Sequence, residues 1–454
     1  MNVDFIQTFT NKNIVVLGAG LTGMSCVKFL DKHGLTCVVI DSRETPVDAS
    51  AFAKQFPSQQ LKTGHWHTSI LNRADIVITS PGIDLDAEGL RNEIPSSADL
   101  LGDVELFCRL NNKPIVAVTG SNGKSTVVSL LAHVADKLGK RAALVGNVGT
   151  PVLSHVEDDV DVFIFELSSF QLETLSSMQA KVACVLNLSD DHLDRHKTIE
   201  NYRQIKQKVY LMSDIAVVNR HEPELYQSLG LNEKSTISFG IDKPSAGDFG
   251  VINVDTTPML AFGDKPLIAL SALTLAGMHN VLNYGAVLAL GHALDWPLDA
   301  MVEHFSSFNG LAHRCQVIAS NDGRVWINDS KATNVGATLA ALEGIGLTKG
   351  SAKLALIAGG EGKGADFTPL QSVFEHTVAH LITLGKDGEQ LAQLSKNAVQ
   401  VKSIEEAVLT ARELTNAGDI ILLSPACASI DMFANYMARG DAFAAAVSSL
   451  GEGQ

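Results

Sequence analysis

The residues with the most chemical content are Thr119-Gly120-Ser121-Asn122-Gly123-Lys124-Ser125-Thr126, which follow an apolar run, Ile115 to Val118, that reads as a buried strand. A helical repeat comes next, with Val127, Leu131, Val134, Ala135 and Leu138 on one face and Gly139 placed to end it. Strand, glycine turn and helix N-terminus together aim backbone N–H groups at an anion, while Lys124 adds a positive charge and the Ser125 hydroxyl can reach Mg²⁺. The spacing is a shorter variant of the phosphate-binding loop: the general pattern G-x-x-x-x-G-K-[ST] would put its first glycine at Val118, and here the upstream glycine is Gly120. An ordinary surface turn would explain Gly-Lys-Ser-Thr alone, but the flanking strand and helix weigh against it. The chain is expected to use ATP.

In open parallel sheets ligands bind beyond the carboxyl ends of the strands, so the residues after each apolar run matter most. After Val160 to Phe165 comes Glu166-Leu167-Ser168-Ser169-Phe170-Gln171, and after Val182 to Leu188 comes Ser189-Asp190-Asp191-His192-Leu193-Asp194-Arg195-His196. Glu166 is the first metal candidate, because Mg²⁺ takes hard oxygen ligands and bridges substrate phosphates. His192 and His196 stand four apart, but without H-E-x-x-H or a nearby cysteine they do not read as a zinc pair. Tyr202, Lys206 and Tyr210 share a helical face, and nothing in the residues themselves singles out Lys206. Further along, His313-Arg314, then Asn328-Asp329-Ser330-Lys331-Ala332-Thr333-Asn334, Gly359 to Phe367 and Ser424 to Ser429 bring cations and hydroxyls to successive strand ends. Together they form a rim suited to a carboxylate or a triphosphate.

These residues need elements to hold them. Ile14 to Leu17 leads into Gly18-Ala19-Gly20-Leu21-Thr22-Gly23, a helical segment, and a second strand, Thr36 to Ile40, that ends at Asp41. That is a βαβ unit with G-x-G-x-x-G, and a dinucleotide site, another nucleotide site and a purely structural turn are equally open on this fingerprint. Another strand candidate, Ile76 to Thr79, completes the first part. The middle part repeats the alternation at Val160 to Phe165, Val182 to Leu188 and Ile215 to Val218, and a third set follows Asn309-Gly310 at Val325 to Asn328, Leu354 to Ala358, Leu381 to Leu384 and Ile420 to Leu423. Short apolar runs of this kind predict mostly parallel sheets with helices on both faces.

A length of 454 residues accommodates about three such domains, with boundaries near residues 102 and 310. The expected organisation is therefore 1–102, Rossmann-like; 103–310, a central phosphate-loop ATPase domain; and 311–454, Rossmann-like again. The hydrophobic fraction of 46% against 19% charged excludes a disordered chain, and the net charge of −15 argues against a nucleic-acid partner. Six scattered cysteines without a C-x-x-C pair read as reduced core residues of a cytoplasmic protein. The first residues read without a secretory leader. The longest apolar stretch, Leu267 to Leu294, is interrupted by His279, Asn280, Asn283 and His292, so it is expected to be a buried helix and not a membrane span. No heptad or large apolar stripe is evident, which favours a monomer.

The constellation resembles the Mur ligases of peptidoglycan synthesis, and within them the branch that adds D-glutamate to UDP-N-acetylmuramoyl-L-alanine. The resemblance rests on T-G-S-N-G-K-S-T (119–126), G-N-V-G (146–149), E-L-S-S-F-Q-L-E (166–173), D-H-L-D-R (191–195), H-N-V-L-N (279–283), H-R (313–314), N-D-S-K-A-T-N (328–334) and S-P-A-C-A-S (424–429). It implies ATP-dependent amide-bond formation through an acyl phosphate, with two Mg²⁺ ions. By the same resemblance Ser125, Glu166 and His192 are metal residues, and Lys206 matches a lysine carried as a carbamate, which would make it an anionic metal ligand. Lys124 would meet the charge that develops on the phosphates.

The remaining roles follow residue by residue. Gly120, Ser121, Asn122, Gly123, Lys124, Ser125, Thr126, Asn280, Asn283, Arg314, Asp329 and Lys331 would bind ATP. Gly18, Leu21, Thr22, Gly23, Asp41, Ser42, Arg43, Asn147 and Ser168 would bind the UDP-substrate, which replaces the dinucleotide reading. Thr333, Lys363 and Ser429 would hold D-glutamate. The D-N-P-R segment of sister ligases that add a diamino acid is absent. A site divided among three domains implies closure on binding.

Overall fold

A computed structural model of the chain describes residues 2–231, 235–275, 277–348 and 350–450. Three α/β units follow one another, each built on its own sheet. The first sheet comprises β1 (Ile14–Leu17), β2 (Cys37–Ile40), β3 (Gln60–Lys62), β4 (Ile76–Thr79) and β5 (Asp99–Gly102), all parallel, in the order β3-β2-β1-β4-β5. Every residue of β1 and β4 is buried, as continuous Ile/Val runs covered on both faces must be. Strand order reverses beside β1, so the glycine turn at its carboxyl end lies at the switch point where such sheets take ligands.

The second sheet has nine strands: β6 (Ile115–Thr119), β7 (Ala142–Gly146), β8 (Val162–Glu166), β9 (Ala180–Val185), β10 (Ser213–Asn219), β11 (Ser235–Phe239), β12 (Phe249–Val254), β13 (Thr257–Phe262) and β14 (Lys265–Ala269). Their order is β14-β13-β12-β11-β10-β9-β6-β8-β7, parallel except for the antiparallel β12 to β14 edge. The phosphate-loop strand β6 is thus flanked by β9 and β8, and all three carboxyl ends open on one edge. The third sheet runs β15-β16-β20-β17-β18-β19, with β15 (Gln316–Ile318), β16 (Val325–Asn328), β17 (Leu354–Gly359), β18 (His380–Leu384), β19 (Ala398–Gln400) and β20 (Ile420–Leu423). Only β15 is antiparallel there.

The structure departs from the sequence reading in three places. The stretch Leu267 to Leu294 is not one helix: its start belongs to β14, where Pro266 is tolerated because β14 is an edge strand, and the buried helix is Met278–His292. The run Val182 to Leu188 leaves the sheet after Val185, and Leu186 to Leu188 pass beneath the phosphate loop. Of the cysteines, Cys26, Cys37, Cys184 and Cys427 are buried, but Cys108 is half-buried and Cys315 is exposed at a strained φ of 46°, so the core reading does not hold for all six.

One apolar cluster joins the first two units through Phe107 of the helix Asp103–Leu110, which meets Phe163 and Phe165 of β8 edge-on at 4.9 and 5.4 Å. Arg195 adds a polar tie, pairing with Glu173 at 2.6 Å while donating to the Ile83 carbonyl at 2.9 Å. Among the described residues no helix is long and apolar enough to cross a membrane.

Candidate active site

The phosphate loop is shaped by two glycines. Gly120 has φ 147° and Gly123 φ 82°, and a Cβ at Gly123 would lie 2.6 Å from Asn283 Oδ1. The helix Lys124–Lys137 starts immediately after, so its free N–H groups open onto the loop. The floor comes from the segment that leaves β9: Asn187 accepts from Ser121 N at 3.0 Å with its carbonyl and from Asn122 N at 2.9 Å with its side chain. Ser121 Oγ accepts from Ser189 N at 2.9 Å. Asn187 is missing from the sequence reading, and its signal was a lone amide between Leu186 and Leu188.

Lys124 folds back onto its own loop, donating Nζ to the Gly120 and Ser121 carbonyls at 2.7 and 2.8 Å. Burial pushes its amine below the usual lysine range; Glu166 and Asp191 pull it back and Arg314 pushes it further down. These carbonyls hold the ammonium at the anion site, from which a phosphate would draw it.

Glu166 ends β8 with its side chain buried, 2% exposed. One oxygen accepts from Asn147 Nδ2 at 2.9 Å, and the other, Oε2, is buried with no partner. A carboxylate oxygen without a donor in a buried site is costly unless a cation completes it. No group of three His, Cys, Asp or Glu side chains able to hold a metal exists among the described residues. A metal at Glu166 would therefore need hydroxyls, phosphate oxygens or a modified side chain among its ligands.

His192 has φ 54°, and its ring packs on Phe170 at 4.8 Å. Burial lowers its pKa to about 4 against the pull of Asp191, with Lys363 lowering it further, so at neutral pH the ring is neutral and has a lone pair to give. His196 is a packing residue: it is buried, bonded to Ser169 Oγ at 2.9 Å and stacked on Tyr202 at 5.2 Å.

Lys206 shares a face of the helix Ile199–Leu211 with Tyr202 and Tyr210, but it is not the solvated side chain a lysine at such a position usually is: it is buried, 1% exposed. Its Nζ donates to the Gly120 carbonyl at 2.9 Å and to Thr119 Oγ1 at 3.3 Å, over the Tyr202 ring at 4.5 Å. Burial, reinforced by Lys124, pushes this amine well below the usual range.

The third unit reaches the loop directly. Arg314 donates Nη2 to Ser125 Oγ at 2.8 Å. Asn334 exchanges amide bonds with Asn122 at 3.2 and 3.3 Å and donates to Asp191 Oδ2 at 3.2 Å, while its Oδ1 accepts from Ala337 N at the start of the helix Val335–Thr348. Lys331 lies over Tyr436 at 4.3 Å, and burial, with Arg314 and Lys124, lowers its pKa to about 8. Asp329 is pushed up to about 7 by burial, although the Ser424 hydroxyl at 2.9 Å and Cys315 N–H oppose the shift. The strand order β16-β20-β17 sets the segments carrying Thr333, Ser429 and Lys363 side by side.

Asn283 donates to Asn280 Oδ1 at 3.0 Å beside the phosphate loop. In the first unit Gly18 has φ 90°, and Asp41 accepts from Ala19 N at 2.8 Å with one oxygen while gripping Arg43 with both. Burial raises the Asp41 pKa, but those donors outweigh it and hold the group at about 2. Asp41 is thus committed to shaping the turn and aiming the exposed Arg43. Leu21 is 75% exposed at the same mouth. Ser168 forms a capping box with Gln171.

Residues 12–102 match the N-terminal domain of the MurD-like Mur ligases, 118–291 the Mur ligase middle domain and 313–427 the Mur ligase glutamate ligase domain. The chain is 51% identical over 465 aligned positions to the UDP-N-acetylmuramoylalanine--D-glutamate ligase of Colwellia psychrerythraea, covering 98% of each. It is 42% identical to the enzyme of that name in Pseudomonas putida, over 96% of this chain and 97% of that one. Among solved structures, UDP-N-acetylmuramate-alanine ligase MurC from Thermotoga maritima aligns over 97% of this chain and 100% of its own at 19% identity and TM-score 0.62. MurF from Acinetobacter baumannii aligns over 93% and 95% at 16% identity and TM-score 0.64, a likeness of fold.

Proposed function

The chain belongs to the Mur ligase family, and from that premise we propose that it joins D-glutamate to UDP-N-acetylmuramoyl-L-alanine with hydrolysis of ATP to ADP and phosphate, a step in making peptidoglycan precursors. The observation that carries the reading is Arg314 of the last unit on Ser125 of the phosphate loop, with Lys331 and Asn334 close behind, which supports a nucleotide site assembled from two domains.

The alanyl carboxylate attacks the γ-phosphorus and ADP leaves; the amine of D-glutamate, having lost a proton, then attacks the acyl carbon, and phosphate is expelled from the tetrahedral adduct. A carboxylate is a poor acyl donor until its oxygen leaves as phosphate, so charge must be met by cations set in advance. Lys124, Arg314 and Lys331 supply them from two sides. Gly120 to Thr126 wrap the phosphates; Asn280, Asn283 and Asp329 take the nucleoside. Gly18, Leu21, Thr22, Gly23, Ser42 and Arg43 form the UDP end, with Asp41 acting through Arg43 and Ala19, while Asn147 and Ser168 line the approach to Glu166. Thr333, Lys363 and Ser429 meet the acceptor's carboxylates.

Ser125, Glu166, His192 and a carbamylated Lys206 would hold two Mg²⁺ ions, which when bound neutralise phosphate charge during transfer. The residues fit that role: Glu166 has an oxygen to give, His192 is neutral, and a carbamate at Lys206 supplies the anion that a site without three acidic or imidazole ligands lacks. The working units of this reading are 1–102 for the UDP-substrate, 103–310 for ATP and 311–454 for the amino acid, in a cytoplasmic monomer.

The test is phosphate release from ATP and Mg²⁺ with UDP-N-acetylmuramoyl-L-alanine, comparing D-glutamate with L-glutamate, meso-diaminopimelate and no acceptor. Release with D-glutamate alone is expected; release with another acceptor alone would move the enzyme to a sister step.

A further inference from the structure

Behind the strand ends that carry Thr333, Lys363 and Ser429 lies a charged side chain that the mechanism above does not use. Arg439 sits in the first turns of the helix Tyr436–Ser449 and is only 2% exposed. Its Nε donates to Ser330 Oγ at 3.0 Å and its Nη2 to the Ser330 carbonyl at 2.8 Å. Nη1 and Nη2 both donate to the Cys427 carbonyl at 3.1 Å, and Nη1 also reaches the Gly359 carbonyl at 3.4 Å. Those acceptors lie on the segments that follow β16 and β20 and at the end of β17, the same three that lead to Thr333, Ser429 and Lys363. A planar fork of five N–H donors on three nitrogens can tie three separated backbone segments, whereas a lysine's three donors all leave one nitrogen.

The partners are neutral. Among the described residues no carboxylate forms an ion pair with Arg439, so carbonyls and one hydroxyl hold a buried positive charge. Asp431 attracts it without bonding to it, and a charge held mainly by neutral groups is costly to bury. Burial lowers its pKa to about 10, which leaves it charged at neutral pH.

We infer that Arg439 is a positioning residue for the amino-acid acceptor: it sets Thr333, Lys363 and Ser429 relative to one another and places a fixed positive charge beneath a dicarboxylate. The inference rests on the assignment of those three residues to D-glutamate. A residue that served only to fold the last unit would, when replaced, affect every substrate alike.

The experiment compares wild type with Arg439→Lys, measuring KM and kcat for each substrate and, separately, hydroxamate formed when hydroxylamine replaces D-glutamate. Hydroxylamine traps the acyl phosphate and carries no carboxylate to be positioned. Arg439→Lys is expected to raise the KM for D-glutamate about tenfold or more, while KM for ATP and hydroxamate formation stay within about threefold. Equal losses in ligation and hydroxamate formation, or an unchanged KM for D-glutamate, would overturn the inference. Ser330→Ala, which removes the Nε acceptor together with the hydrogen bond that the hydroxyl donates to the Tyr436 carbonyl at 2.8 Å, is expected to raise the same KM in a fold that keeps Arg439, and decides the matter should Arg439→Lys fail to fold. Wild type that forms hydroxamate but does not ligate D-glutamate would overturn the acceptor assignment instead.

Discussion

Lys206 is the residue at which burial most changes chemistry. Its ammonium has two oxygen partners and no carboxylate bonded to it, and burial favours the neutral amine. A neutral amine can attack CO₂, forming an N–C bond and releasing a proton, which turns an unpaired buried cation into an anionic oxygen ligand. Replacing Lys206 with Ala is expected to lower kcat by about a hundredfold or more, with partial rescue by formate or acetate, because a small carboxylate can occupy the vacated space. Full activity in Lys206→Ala would remove the residue from the mechanism. Glu166 shows the opposite sign: one of its carboxylate oxygens is buried without a hydrogen-bond donor.

At the level of elements, the glycine turns after β1 and β6 both depend on helices starting hard against the end of a strand. A Cβ at Gly23 would stand 1.7 Å from the Gly18 carbonyl, so the helix Leu21–Lys32 can approach the β1 turn only with glycine there. Gly23→Ala must push the helix away from the turn, and is expected to cost about 2 kcal/mol of stability. It should also raise the KM for the UDP-substrate while leaving that for ATP unchanged. Urea unfolding and initial rates check this; an unchanged midpoint would mean that the turn tolerates the shift. The helix Val335–Thr348 works differently, being capped by Asn334, which at the same time touches the phosphate loop of another unit.

That contact matters for the whole molecule. Arg314 and Asn334 bridge the second and third units, while Arg195 and the Phe107 cluster bridge the first and second. The hydrogen bonds to the third unit are polar side-chain contacts, and interfaces between domains of one chain commonly allow relative motion. Changing Asn334 to Asp sets a second carboxylate against Asp191 Oδ2, now at 3.2 Å from the Asn334 amide. The variant is expected to show a larger radius of gyration by X-ray scattering without ligands, and to contract when ATP and UDP-substrate are added. Scattering curves that match wild type in both states would show that the contact does not govern closure.

Much of this was legible in the chain. Periodic apolar runs located β1, β4, β6, β16, β18 and β20, since Val and Ile runs buried on both faces leave little alternative, and the phosphate loop stood out because its glycines and lysine serve local backbone geometry. Short strands such as β3 and β19, and the antiparallel edge, carry mixed or alternating residues and gave no such signal. Which strand ends bear polar groups can be read locally, because those groups follow directly on the apolar runs. Which ends are neighbours follows from strand pairing: β16, β20 and β17 adjoin although β17 precedes β20 in the chain. The burial of Lys206, the missing partner of Glu166 Oε2, the internal commitment of Asp41 and the reach of Arg439 to three segments depend on what other segments exclude or supply. Burial and long-range hydrogen bonding are properties of the packed chain, and no local pattern encodes them.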